Sequence, residues 1–212
     1  MNVDQIVRDR GITEVLHFTT NKGCLGVLAT QSLKARQRLG SDEALEYILQ
    51  VNAPDRSRDR EWHDYVNLSI SRINTNFFRA SGSWHRDEDL WWCILSFSPE
   101  ILGHPGVYFA TTNNMYSGVR RAMGADGLTA LFAPSIVRWH SSIVIRKADL
   151  PPNMTTCVQA EALYPGEVST EFLRTIYVAD GAHADEVAGQ MGAVGHRRVD
   201  IIVEPERFEE FR

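Results

Sequence analysis

Three short clusters in this chain bring together side chains able to do chemistry. The first is Leu16-His17-Phe18-Thr19-Thr20, at the end of a predicted strand. An imidazole and two hydroxyls there can hydrogen-bond a ribose or a carboxamide edge, or can simply be satisfied within the fold. The second is Trp62-His63-Asp64-Tyr65-Val66-Asn67-Leu68, where the adjacent His and Asp suit a polarised base, the start of a metal site, or a turn. The third is Val158-Gln159-Ala160-Glu161-Ala162-Leu163, which places a glutamate inside a strand-like apolar run. A carboxylate in a half-buried strand costs free energy unless it is paired or faces a cleft, so Glu161 lies either on an exposed strand face or in a site. A lone glutamate is enough for one kind of reaction. Cleavage of a nicotinamide–ribose bond passes through an oxocarbenium-like state, as glycoside hydrolysis does. A carboxylate on the ribose 2′-hydroxyl stabilises that developing charge while the acceptor supplies the nucleophile.

Other chemistries are excluded by missing patterns. The remaining histidines (His85, His104, His140, His183 and His196) are dispersed without HxH or HExxH spacing, so no metal site is predicted. There is no GxSxG elbow, no GxGxxG and no GxxxxGK[ST], so a nucleotide would not sit in a Rossmann or P-loop cradle.

The elements that must position these clusters change character along the chain. A strand is expected from Ile12 to Leu16, then one or two helical turns over 21–28, and a capped helix over 41–51 with Ala44, Leu45, Ile48 and Leu49 on one face. From about residue 62, short strand-like runs take over, at 65–70, 91–97, 107–110, 141–145, 157–163, 175–178 and 199–203, with a helix over 182–191. Early helices followed by many short strands predict an α+β fold with a mainly antiparallel sheet system. With 212 residues, 43% hydrophobic and 23% charged, and no repeat or linker, the chain is expected to form a single domain over 1–212.

Composition also bounds location and partners. No run approaches the roughly 18 apolar residues of a membrane span, and the first residues have neither a basic nor an apolar signal region. Cys24, Cys93 and Cys157 read as reduced thiols, so a cytoplasmic protein without membrane contact is expected. The net charge of −5 argues against coating duplex DNA but leaves room for a local basic groove. Arginines 36, 38, 56, 58, 60, 72 and 79 are grouped in sequence, whereas residues 204–210 are mostly acidic.

Taken in order, His17-Phe18-Thr19-Thr20 with Asn21, His63 to Leu68, Val107-Tyr108-Phe109-Ala110-Thr111-Thr112 and Gln159-Ala160-Glu161 resemble the DarT family of bacterial DNA ADP-ribosyltransferase toxins over residues 12–203. The resemblance implies an ADP-ribosyltransferase fold, in which two small sheets grip NAD as co-substrate in a cleft. It implies Glu161 as the catalytic glutamate and His17 and Thr19 as nicotinamide-side ligands. Tyr65 to Arg72 would line the same cleft. An arginine shortly before His63 is also implied: Arg56 is taken as catalytic and Arg58 as NAD-binding, with the alternative assignment between them open. Thymidine-modifying members follow the His63–Leu68 segment with an aromatic residue, Asn/Pro, Arg and a Met-rich run. This chain instead reads Ser69-Ile70-Ser71-Arg72-Ile73-Asn74-Thr75-Asn76. Arg72, Asn74 and Asn76 are therefore expected at the acceptor base, with guanine preferred over thymine. The acceptor strand must be single-stranded or flipped for the base to react. Aromatic groups such as Trp84, Trp91 and Trp92 either stack on bases or fill the core. Transfer to RNA or protein, and a silent nucleotide- or partner-binding module on the same fold, are the competing readings. A macrodomain antitoxin that removes the ADP-ribose is implied as a partner.

Overall fold

The computed structural model describes residues 1–39, 61–84 and 89–209; the helix expected over 41–51 lies outside them. The chain runs α1 (Val3–Arg10), β1 (Val15–Thr20), α2 (Asn21–Thr30), β2 (Ser32–Lys34), α3 (Arg36–Leu39), β3 (Tyr65–Ile70), α4 (Thr75–Trp84), β4 (Trp92–Phe97), β5 (Tyr108–Ala110), β6 (Arg121–Met123), α5 (Gly124–Ala130), β7 (Ser135–Val137), β8 (Ile143–Ile145), β9 (Glu161–Pro165), β10 (Glu167–Ser169), β11 (Leu173–Val178), α6 (Gly181–Ala193), β12 (Asp200–Val203) and α7 (Glu206–Glu209).

Eight strands form one sheet in the order β12-β11-β4-β1-β3-β9-β5-β6, flanked by the two-stranded pairs β10-β2 and β7-β8. The α+β expectation holds, and apart from the parallel β11–β12 pair the ladders are antiparallel. The expectation of two small sheets is corrected to one large one. The physical reason is a short seam: β1 pairs with β3 only at Val15↔Ile70 and Leu16↔Ser69, which suffices to join the halves. Along its other edge β1 is zipped to β4 over six positions, from Val15↔Phe97 to Thr20↔Trp92.

Side-chain alternation gives the sheet two buried faces. On one, Val15, Cys93, Leu95, Phe97, Ile176 and Val178 join a core that includes Ile6 of α1, Val27 and Leu28 of α2 and Val187 and Met191 of α6. On the other, Leu16, Phe18, Ile94 and Tyr177 pack beneath Ile73 and Phe78, with Phe77 and Phe208 against them. Phe18 is the hub there, with ring centroids 5.6 Å from Phe77, 5.0 Å from Phe78 and 5.6 Å from Trp92. Full burial of side chains this size contributes on the order of 1.5–3 kcal/mol each, so α4 is held down firmly next to the seam.

Local signals place α2. Thr20 is its N-cap, its hydroxyl accepting from the Gly23 N–H at 3.1 Å, and the preceding residue, Thr19, ends up against the helix's first turn. A Cβ at position 23 would overlap the Thr19 Oγ1, so the close approach of strand and helix requires glycine. Among the described residues no helix is long and apolar enough to cross a membrane. The three cysteines are buried and free.

Candidate active site

The seam between β1 and β3 opens into a cavity, because the two strands stop pairing after Leu16 and Ser69. Continuing the ladder would set Phe18 opposite Asn67. Instead the Asn67 carbonyl accepts from the His17 ring, whose Nδ1 lies 3.0 Å away. A carbonyl can only accept, so Nδ1 carries the proton in that bond. A side chain thus satisfies a strand edge that the main chain has released. Thr19, 5% exposed, stands beside it on the wall, its hydroxyl against Gly23.

Glu161 faces the same cavity from the opposite half of the sheet. It is the first residue of β9, paired with Ala110 of β5, rather than the interior of a strand over 157–163 as the apolar run suggested. It is 8% exposed, and its Oε2 accepts the Asn114 backbone N–H at 2.8 Å. The preceding Gln159 is buried and exchanges hydrogen bonds with the Tyr116 hydroxyl, with its Oε1 at 3.3 Å and its Nε2 at 3.1 Å. Tyr65 lines the cavity from β3, within a triad of rings: its centroid is 4.9 Å from Trp62 and 6.1 Å from Tyr108. Burial first, then the neighbouring Tyr108 and Asp64, pushes its phenol pKa up, so it stays a neutral donor and acceptor.

The residues expected at the acceptor base separate. Asn74 is on the cavity wall and 3% exposed. Its Oδ1 caps α4 by accepting from the Phe77 N–H at 3.1 Å, while its Nδ2 is buried with no hydrogen-bond partner among the described residues. Arg72 is not on that wall; its Nη2 reaches the Thr155 carbonyl at 3.3 Å, tying the turn after β3 to the segment before Glu161. Asn76 is exposed on α4, away from the cavity. Arg56 and Arg58 lie outside the described residues.

His63 and Asp64 do not form a working pair with the cavity. The Asp64 carboxylate takes two bonds from Arg38, at 2.6 and 3.1 Å, on an exposed surface, and the hydrogen bonds from that guanidinium hold its pKa below the usual carboxylate range. Trp91 stacks on His183 with centroids 4.1 Å apart and donates to Glu186, and Trp92 packs on Phe18, so both serve packing. Among the described residues no group of three His, Cys, Asp or Glu side chains is placed to hold a metal.

Sequence reasoning missed several wall residues. Lys34 and Arg36 bring positive charge from β2 and the start of α3, and Asn113 and Met115 come from the turn after β5. The Arg36/Arg38 grouping was a visible signal for the basic side. For Asn113 and Asn114 the only signal was a turn-forming Asn-Asn step directly after the Thr111-Thr112 pair.

The family described as "ssDNA thymidine ADP-ribosyltransferase, DarT" matches residues 16–209. The chain belongs to the DarT family. It is therefore an enzyme of the class that transfers ADP-ribose to single-stranded DNA. No curated protein matches it. Among solved structures, the Thermus sp. 2.9 DarT in complex with NAD+ superposes with a TM-score of 0.66 at 18% identity, covering 92% of this chain and 96% of that one. The same Thermus protein in complex with ADP-ribosylated ssDNA gives 0.66 at 17% identity, covering 93% and 96%. Thermosipho africanus DarTG in complex with ADP-ribose gives 0.62 at 14% identity, covering 92% of this chain and 51% of that one. At such identities the likeness to these DarT structures shows a shared fold.

Proposed function

We propose that this DarT-family chain, acting as one domain over residues 1–212, transfers ADP-ribose from NAD to a base of single-stranded DNA, with Glu161 as the catalytic carboxylate. The observation that carries this reading is a buried glutamate, oriented by a backbone N–H, on the wall of the cavity that His17, Thr19 and Tyr65 also line. The nicotinamide end of NAD lies by His17 and Thr19, residue types able to hydrogen-bond its carboxamide and ribose edges. Lys34 and Arg36 face the pyrophosphate, which favours cationic donors. Arg56 and Arg58 remain the proposed catalytic and NAD-binding arginines of the segment before His63. As the ribose C1′–N bond to nicotinamide breaks, Glu161 holds the ribose 2′-hydroxyl and offsets the positive charge developing on the sugar. A base atom then bonds to C1′, nicotinamide departs with the bonding pair, and the base loses its proton to solvent.

The acceptor base is a finer question. The preference for guanine rested on Asn74 and Asn76 presenting a donor and an acceptor together. Asn74 commits its oxygen to the α4 cap, which leaves only the donors of its Nδ2 amide without a partner among the described residues. Asn76 lies off the wall and Arg72 reaches the base only by leaving Thr155. A donor-only group suits a carbonyl of guanine or of thymine, and the family description names thymidine. The test is incubation with NAD and single strands carrying only one of the two bases, read by intact mass. One added ADP-ribosyl group on one strand and none on the other assigns the base. Labelling of RNA or protein alone contradicts the DNA reading.

The reading extends to a partner and a location. A macrodomain antitoxin that removes the ADP-ribose is proposed from family membership, and the Thermosipho DarTG chain, about twice the length that this chain covers, was solved with ADP-ribose. The site of action is the cytoplasm, where NAD and transiently single-stranded DNA meet.

A further inference from the structure

Arg121, at the start of β6, is exposed and lies outside the cavity wall, yet it connects directly to the group that orients Glu161. Its Nε donates to the Asn114 side-chain oxygen and its Nη2 to the Asn114 backbone carbonyl, both bonds short. Asn114 is 1% exposed, and its N–H is the one donated to Glu161 Oε2. The guanidinium carbon sits 5.1 Å over the Trp62 ring, which in turn packs edge-on to Tyr108 with centroids 5.2 Å apart. The turn itself is laced: the Tyr116 N–H bonds the Asn113 carbonyl at 3.0 Å, and the Met115 N–H bonds the Asn113 side chain at 2.9 Å.

We propose that Arg121 is a positioning residue for the transfer reaction: by gripping Asn114 at two points it fixes the N–H that aims the Glu161 carboxylate. A fork that bonds both the side chain and the carbonyl of one residue restrains that residue at two points, and with it the residue's own N–H. A carboxylate aimed by a rigid backbone donor meets the ribose hydroxyl without reorganising, whereas displacement of a catalytic group by about 1 Å costs on the order of 100-fold. The proposal rests on Glu161 being the catalytic carboxylate.

The rival role for an exposed arginine beside an aromatic ring is a contact to the DNA strand. Hydrolysis of NAD without DNA separates the two. In that reaction the C1′–N bond breaks, water oxygen bonds to C1′, a proton is released, and the products are ADP-ribose and nicotinamide. Arg121→Ala is expected to lower kcat for hydrolysis and for transfer together by about 10- to 100-fold, with KM for NAD changed less than about threefold. Arg121→Lys, which can still donate to Asn114, recovers part of the loss. Asn114→Ala falls similarly, and the double variant is no worse than either single one, the non-additivity of a shared device. If hydrolysis is unchanged while KM for DNA rises, the arginine is a DNA contact and the proposal is overturned. Unchanged kcat in both Arg121→Ala and Arg121→Lys overturns it equally, and the lysine variant keeps the test open where alanine fails to fold. Glu161→Gln runs alongside. Near-normal turnover there removes the reading of Glu161 itself, whereas an inactive Glu161→Gln with an unaffected Arg121→Ala removes only the clamp.

Discussion

The two edges of β1 differ in a way that explains the site. Toward β4 the strand pairs at six positions, and side chains on both faces go into core. Toward β3 it pairs at two, after which a histidine ring stands in for the ladder. The first edge holds the molecule together, and the second holds it open. Each released backbone group needs a replacement partner, since a buried unpaired one costs about 1–3 kcal/mol. Here the His17 ring is that partner, on the wall of the cavity.

Several substitutions sharpen this contrast. The largest effect short of the proposed catalytic glutamate is expected from His17→Ala. It strips the Asn67 carbonyl of its donor and removes the imidazole from the wall, so KM for NAD rises by about 10- to 100-fold. Steady-state kinetics check this, and an unchanged KM would separate the cavity from the NAD site. Next is Gly23→Ala, which drives a methyl into the Thr19 hydroxyl. Overpacking there costs about 1–3 kcal/mol against a small gain in helix propensity. A drop in Tm together with weaker NAD binding is the expected result; a stabilised variant would mean that α2 and β1 do not need their close approach.

The smallest effect belongs to the rim. Arg38 and Asp64 are about half exposed, so the pair contributes only a few tenths of a kcal/mol. The Asp64 pKa is lowered in the folded state by Arg38. The contribution is therefore fully present above the ordinary carboxylate value and lost as pH falls through the lowered folded one. Asp64→Asn should shift stability slightly at neutral pH and not at all in strong acid, with transfer intact. A large loss of activity would move the His63–Asp64 segment back into the chemistry.

How much of this was legible in the sequence follows from whether the signal was local. The His17 cluster and Glu161 stood out as polar groups embedded in strand-like runs, a pattern visible within a few residues. The eight-stranded sheet was not, because a two-residue register between β1 and β3 decides between one sheet and two, and no local pattern encodes it. Asn74 took the turn role that an asparagine also offers, its oxygen capping α4, while its Nδ2 is buried with no hydrogen-bond partner among the described residues. Asn114 was invisible for a different reason: what it offers Glu161 is a main-chain N–H, which every residue but proline possesses. Lys34 and Arg36 reach the cavity only because β2 pairs with β10, about 135 residues away in sequence, as the Ser32–Glu167 bond illustrates.

The most direct measurement compares wild type with Glu161→Gln, following NAD affinity by titration and transfer to a single-stranded oligonucleotide by intact mass. The amide keeps the side chain's shape and an acceptor for the Asn114 N–H but removes the charge that offsets the oxocarbenium. NAD affinity should stay within a few-fold, and turnover should fall by about two to four orders of magnitude, the scale of losing a key electrostatic contact. Transfer at a near-wild-type rate by Glu161→Gln would contradict the account.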